Sequence, residues 1–357
     1  MTLREKIAGL IAREGPIDVA RYMTLCLHDP EAGYYATRPE LGETGDFITS
    51  PLVSQMFGEL LGLWAAEVWL AMGRPDPVRL VEIGPGHGVM MSDILRAARA
   101  APGFREACDV WLVETSAPLR ARQAATLAPL AAPRWADGLE EVPGGAPLII
   151  LSNEYLDCLA IGQAILTAAG WRERRVGLAA DGHSLAFVAG EPVAPPAGGA
   201  GASEGAVAEW SDDLAAAGAA IGARIATDGG AALFIDYGRD AVERGDTLQA
   251  LRRHAKVDPL DTPGEADLTA HVDFPAFLAA AARAGVAVGP IRTQAGFLKD
   301  LGIATRAARL AAARPDRAEV IARQLDRLVG ADQMGQVFKV AVIHTPGLTP
   351  PGFEATA

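Results

Sequence analysis

The stretch Glu82-Ile83-Gly84-Pro85-Gly86-His87-Gly88 concentrates potential chemistry at one place in the chain. Glycines two residues apart remove the Cβ where a backbone must turn sharply and approach a ligand. A helical pattern follows from Met90, and the start of a helix aims free N–H groups at whatever lies over the turn. This is the chemistry of a nucleotide-like ligand. A dinucleotide fingerprint, G-x-G-x-x-G, would need its third glycine at position 89, which is Val89; the third glycine is Gly88. Further carboxylates stand where apolar runs end. Glu114 closes the second such run, where it could accept hydrogen bonds from both hydroxyls of a ribose; the alternative is a solvated strand end. Its distance from the glycines exceeds the usual ~20 residues, so the intervening helix and loop must be long, in keeping with the break at Ala101-Pro102-Gly103. Asp137 closes a third, shorter strand, where an open α/β fold often places an acid near an adenine amino group. The fourth run ends in Ser152-Asn153-Glu154-Tyr155-Leu156-Asp157. Ligands of open α/β sheets bind beyond the carboxyl ends of the strands. The alternative for this acidic cluster is a helix start decorated to match its dipole.

The elements that position these residues change rhythm near residue 78. Residues 1–75 read as a helical cap: Leu3, Ile7, Leu10 and Ile11 recur at helical spacing, a second helix spans 18–27, and a third spans 54–72 with Ser54 at its N-cap. From 78 the chain alternates strand and helix, the pattern of a doubly wound α/β sheet. Strands are expected at 78–83, 109–114, 134–135, 147–152 and 231–236. The fourth is a continuous apolar run, as a strand buried on both faces should be. Residues 161–228 read as an insertion between strands four and five. It holds a hairpin over 165–188 turning at Asp181-Gly182, a flexible Ala/Gly/Pro-rich loop at 190–202, and a helix over 206–226. A loop region (239–270), a helix (274–284), a strand (286–292), a helical excursion (298–329) and a last strand (336–344) follow. The core is thus expected over 76–160 and 229–357.

Bulk properties exclude several classes. With 357 residues, 50% of them hydrophobic, the chain can bury a substantial core. A formal net charge of −12 argues against general nucleic-acid or anionic-membrane binding, which rewards clustered Lys and Arg. Cys26, Cys108 and Cys158 have no paired spacing, which implies free thiols in a reducing compartment and no zinc site. No run of about 18 apolar residues marks a transmembrane helix, and the charged amphipathic start carries no secretory signal. A cytoplasmic, membrane-free protein is expected. His254, His271 and Asp267 lack a metal-ligand spacing, so no metal is expected; His254 and Asp258 could instead line an acceptor pocket.

The pattern Glu-x-Gly-x-Gly-x-Gly resembles the first motif of class I S-adenosylmethionine (SAM) methyltransferases. That resemblance places Gly84, Pro85, Gly86 and Gly88 beside the methionine part of SAM and Glu82 near its ammonium group. Asn153 and Glu154 would then face the transferring methyl and orient an acceptor nitrogen, with Asp157 sharing the task. A more specific likeness follows from Gly45-Asp46-Phe47-Ile48-Thr49-Ser50-Pro51 and Ser54-Gln55-Met56-Phe57-Gly58-Glu59-Leu60. It extends through Gly33-Tyr34-Tyr35, Asn153-Glu154, Ile235-Asp236-Tyr237-Gly238, Asp267-Leu268-Thr269-Ala270 and Phe338-Lys339-Val340. On these residues the chain resembles the MidA-type family of SAM-dependent methyltransferases, over nearly its whole length. The mitochondrial member of that family is a complex I assembly factor that methylates an arginine of a complex I subunit.

The resemblance implies a class I methyltransferase sheet, mostly parallel with an antiparallel last strand, carrying an N-terminal helical cap and an inserted α+β segment. It implies SAM as cofactor, S-adenosylhomocysteine as product, and a protein substrate of the complex I type. It also places 45–51 over the cofactor, where Asp46, Thr49 and Ser50 could contact the SAM amino-acid group. The chain departs from the family at His87, where Arg is usual, at Tyr155-Leu156, where two Phe are common, and at Cys158, where Ala is usual. Three rival functions remain: methylation of a small molecule, a non-catalytic assembly factor that keeps the fold, and a dinucleotide oxidoreductase, which Val89 disfavours.

Overall fold

The computed structural model describes residues 1–37, 49–253 and 255–354. It divides into two compact units, one of Met1–Phe47, Leu156–Ala216 and Arg239–Ala276, the other of Ile48–Tyr155, Ala217–Gly238 and Phe277–Ala357. This division differs from the cap, core and insertion expected at 1–75, 76–160 with 229–357, and 161–228. The helix Gln55–Ala71 goes with the central sheet, and residues 239–276 go with the insertion and the first two helices.

The larger unit is built on a twisted sheet whose principal strands are β1 (Val78–Ile83), β2 (Cys108–Val113), β3 (Arg134–Ala136), β4 (Leu148–Asn153), β5 (Gly230–Arg239) and β6 (Phe338–His344). They lie in the order β3-β2-β1-β4-β5-β6. The first five run parallel and β6 runs antiparallel to β5, as expected. Every residue of β4 is buried, which is why its sequence is an unbroken apolar run. The expected strand at 286–292 is two short pieces, Ala287–Val288 and Arg292–Thr293, both on β6. Pro290, which has no N–H to give to a ladder, stands between them.

Strand order reverses between β1 and β4, and at that point the outer ends of both strands face one crevice. The Ser152 hydroxyl of β4 donates to the Ile83 carbonyl of β1 at 3.1 Å, tying the two ends together. The helix Gln55–Ala71 is capped by the Ser54 hydroxyl on Met56 N. Gly58 and Gly62, four residues apart on one face, press it against the helix Val89–Ala97 that leaves the glycine turn. A Cβ on Gly62 would lie 2.7 Å from the Ile94 carbonyl oxygen.

The smaller unit has its own core, from Leu3, Ile7 and Tyr22 through Val176 to Leu268. Thr2 and Glu5 form a capping box on Leu3–Glu14, and Asp18 caps Val19–His28. In its antiparallel sheet the hairpin expected over 165–188 turns at Asp181-Gly182, but its strands are Gly170–Leu178 and Leu185–Pro192, and residues 165–167 belong to a separate strand. Asp181 Oδ1 accepts from His183 N and Ser184 N, each at 2.8 Å. Two further strands join it: Gly162–Thr167 and Val207–Trp210. The helix expected from 206 therefore begins only at Asp212, where the Ser211 hydroxyl accepts from Leu214 N. The segment 239–270, read as a loop, holds three short strands, Gln249–Arg252, Ala255–Val257 and Asp267–Thr269. Among the described residues no helix is long and apolar enough to cross a membrane.

Candidate active site

All three motif glycines have left-handed backbones, with φ of 67° at Gly84, 51° at Gly86 and 74° at Gly88. L-residues disfavour this region, so the spacing seen in the sequence is a conformational requirement of the turn. A Cβ on Gly84 would also press on the Tyr155 side chain at 3.2 Å. Pro85 is buried, and its carbonyl accepts from Gly88 N at 2.8 Å, closing the turn onto the helix start. Glu82 is almost wholly buried, and burial pushes its carboxyl up to about 8 against one opposing hydrogen bond from Met91 N. Its Oε2 has no partner among the described residues.

Glu114 follows β2 and is half-buried. Burial raises its carboxyl above the usual range, while donors from Ser116 N (2.8 Å) and Gln123 Nε2 (3.2 Å) oppose the shift. Asp137 follows β3, is exposed, and pairs with Arg120. Arg120 Nε also donates to the Glu114 carbonyl at 2.6 Å, so one side chain joins the ends of β2 and β3.

Asn153 is the last residue of β4, and Glu154 follows it with φ 53°. A left-handed glutamate is rare and costs of order 1–3 kcal/mol, a strain that gathers at functional sites. Glu154 N donates to the Ile235 carbonyl of β5 at 2.9 Å, which holds the strained backbone in place. Glu154 Oε1 accepts from Asn153 Nδ2 at 2.8 Å and Ser50 N at 2.9 Å, fixing the carboxylate. Asn153 Oδ1 is buried with no partner among the described residues. An unmet buried acceptor costs about 1–3 kcal/mol, so Asn153 and Glu82 both suit a bound donor.

Ser50 reaches this cluster through its backbone. Its hydroxyl, buried, donates to Gln294 Oε1 at 3.4 Å. Thr49 precedes the short helix Ser50–Val53 as its N-cap without a side-chain capping bond. Asp46 and the rest of 45–48 lie outside the described residues, as does His254. Asp157 belongs to the smaller unit, where it is buried and its carbonyl accepts from Ala270 N at 2.9 Å. In that unit Asp258 Oδ1 accepts from Leu260 N at 2.8 Å, which makes it a turn former. Among the described residues no cluster of His, Cys, Asp or Glu could hold a metal ion.

Two residues of the site carried no assignment from sequence. Asp236, buried near the end of β5, accepts from Tyr155 N (3.1 Å) and Tyr237 N (2.9 Å), holding the segment after Glu154. An acid ending an apolar run was the signal, the same one that marked Glu82 and Glu114. The other is Gln123, mid-helix, for which no pattern existed.

Residues 60–291 match the family of S-adenosyl-L-methionine-dependent methyltransferases. The rat protein named protein arginine methyltransferase NDUFAF7, mitochondrial, is 38% identical over 358 residues, covering 92% of this chain and 81% of that protein. Its zebrafish counterpart of the same name is 35% identical over 380 residues, covering 97% and 88%. A crystal structure of a Burkholderia thailandensis protein bound to S-adenosyl-homocysteine is 30% identical, with a TM-score of 0.83, covering 99% of this chain and 93% of that one.

Proposed function

We propose that this chain, which belongs to the S-adenosyl-L-methionine-dependent methyltransferase family, methylates an arginine side chain of a protein. The observation that carries the arginine reading is the strained, hydrogen-bonded Glu154 beside the unmet Asn153 Oδ1. The names of the relatives at 35% and 38% identity point the same way. The finer proposal, from the family resemblance, is a subunit of respiratory complex I as acceptor. A cytoplasmic location goes with it, since three scattered free thiols suit a reducing compartment.

SAM supplies an electrophilic methyl on a sulfonium for in-line displacement. In this reading Gly84, Gly86 and Gly88, with Pro85 fixing the turn between them, would give the cofactor's methionine end a close backbone surface, and Glu82 would lie near its ammonium. Glu114 would accept from the ribose hydroxyls, Asp137 would contact the adenine amino group, and Asp46, Thr49 and Ser50 would supply polar contacts to the amino-acid group. An arginine is cationic at neutral pH and a poor nucleophile. The Glu154 carboxylate holds the guanidinium by charge-assisted hydrogen bonds and takes up a proton at or after transfer. Asn153 Oδ1 accepts from a guanidinium N–H, turning one nitrogen toward the methyl.

The test is mass spectrometry of complex I subunits incubated with SAM and either the enzyme or Glu154→Gln. Methylated arginine is expected with the enzyme, at a rate about 10²–10⁴-fold lower with the variant, while calorimetry shows the variant still binding SAM. Methyl transfer to another residue type or to a small molecule would refute the arginine assignment. An equal rate in the variant would remove Glu154 from the chemistry.

A further inference from the structure

Gln123 lies on the helix Ala117–Leu127 and is sealed from solvent. Its side-chain amide is bonded on every side. Oε1 accepts from Trp135 Nε1 at 2.8 Å. An indole nitrogen can only donate, so this contact fixes which end of the amide is oxygen. Nε2 therefore points the other way, donating to the Gly86 carbonyl at 2.8 Å and to Glu114 Oε2 at 3.2 Å. The Gln123 Cα, Cβ and Cγ also lie 3.4–3.6 Å from where a Cβ on Gly88 would stand. One residue thus touches the glycine turn twice and the carboxylate after β2 once. The other carboxylate oxygen, Oε1, is held by Ser116 N at 2.8 Å.

We propose that Gln123 is the positioning residue for recognition of the cofactor's ribose, locking the Glu114 carboxylate to the glycine turn so that diol and methionine end are read at a fixed spacing. The inference rests on the reading of Glu114 as the ribose ligand. With Ser116 N on Oε1 and Gln123 Nε2 on Oε2 the carboxylate plane is fixed from both sides, and its remaining lone pairs keep one direction. Without Gln123, Glu114 keeps its backbone donors at Ser116 and Thr115 but loses the donor that ties it to the glycine turn. Gly86 O and Trp135 Nε1 also lose their partner. The expected loss therefore falls on the ribose hydroxyls rather than evenly over the ligand.

Calorimetric titration with S-adenosylhomocysteine and its 2′-deoxy analogue separates these effects. The wild-type chain is expected to prefer the hydroxylated ligand by about tenfold or more, the worth of a hydrogen bond to a charged group. Gln123→Leu, of similar volume, should shrink that preference to about threefold or less. Gln123→Glu folds around the same Trp135 contact and sets a second carboxylate against Glu114. It should lose the preference too, which answers the question if the leucine variant fails to fold. Variants that bind both ligands more weakly but keep the full preference would overturn the proposal and leave Gln123 a packing residue. A wild-type chain that shows no preference, unchanged in Glu114→Ala, would instead overturn the ribose reading beneath it.

Discussion

Glu82 sits one residue before the end of β1 with its carboxyl pushed up to about 8 by burial, against an ordinary value of 4.5. Below pH 4.5 the group is protonated folded or unfolded and contributes nothing to the pH dependence. Between 4.5 and about 8 the unfolded chain ionises while the folded one holds its proton, so stability falls as pH rises. Above about 8 the penalty is complete and levels off. Urea unfolding of the cofactor-free protein at pH 5.5 to 7.5 should therefore show the wild type losing up to about 1.4 kcal/mol per pH unit relative to Glu82→Gln, which cannot ionise. Parallel pH profiles for the two proteins would mean that Glu82 is ionised in the folded state. Added SAM should flatten the wild-type profile if its ammonium lies near this carboxyl, because a nearby cation favours the charged form.

The glycine turn is held from behind by a helix, and that is a property of elements. Gly58 and Gly62 let Gln55–Ala71 approach Val89–Ala97 so closely that a Cβ on Gly62 would meet Ile94 O at 2.7 Å and Ile94 Cα at 2.8 Å. Those are backbone atoms, which cannot swing aside as a side-chain tip can. Gly62→Val should cost about 1–3 kcal/mol, the usual penalty of overpacking. It should also weaken SAM binding, because the displaced helix carries the N-terminus at the turn. A variant that unfolds early yet binds SAM with wild-type affinity would show that the helix start moves independently of the packing. The same elements show what the sequence could carry. Strands β1, β2, β4 and β5 were legible because each is an apolar run ended by an acid or an amide, a pattern made by burial on both faces. The short strands at 249–252, 255–257 and 267–269 were not, because a three-residue ladder leaves too little alternation to read. Val207–Trp210 reads as the start of a helix in the sequence, because only its pairing with Gly162–Ile165 makes it a strand. In the site, Glu82, Glu114 and Glu154 stood at strand ends and could be named, whereas Gln123 acts through a contact with Trp135 that only the folded chain brings about.

At the scale of the whole molecule, the chain carries 44 acidic against 32 basic side chains, for a net charge of −12. Such a charge repels a phosphate backbone and attracts a cation. An arginine acceptor within a basic stretch of a protein would be drawn toward the enzyme over several ångströms before any contact forms, which raises the encounter rate. Salt shortens that reach, since the Debye length falls from about 30 Å at 0.01 M to about 8 Å at 0.15 M. For a basic acceptor peptide, kcat/KM should thus drop several-fold between these ionic strengths, as steered encounters do. The decline should be carried by KM with kcat nearly constant, because the contacts at Glu154 and Asn153 lie in a partly buried place where screening is weak. Steady-state kinetics with one peptide at several salt concentrations checks this. A flat or rising kcat/KM would place the recognition of the acceptor in apolar or neutral contacts, and would make an uncharged small molecule the better substrate class to test next.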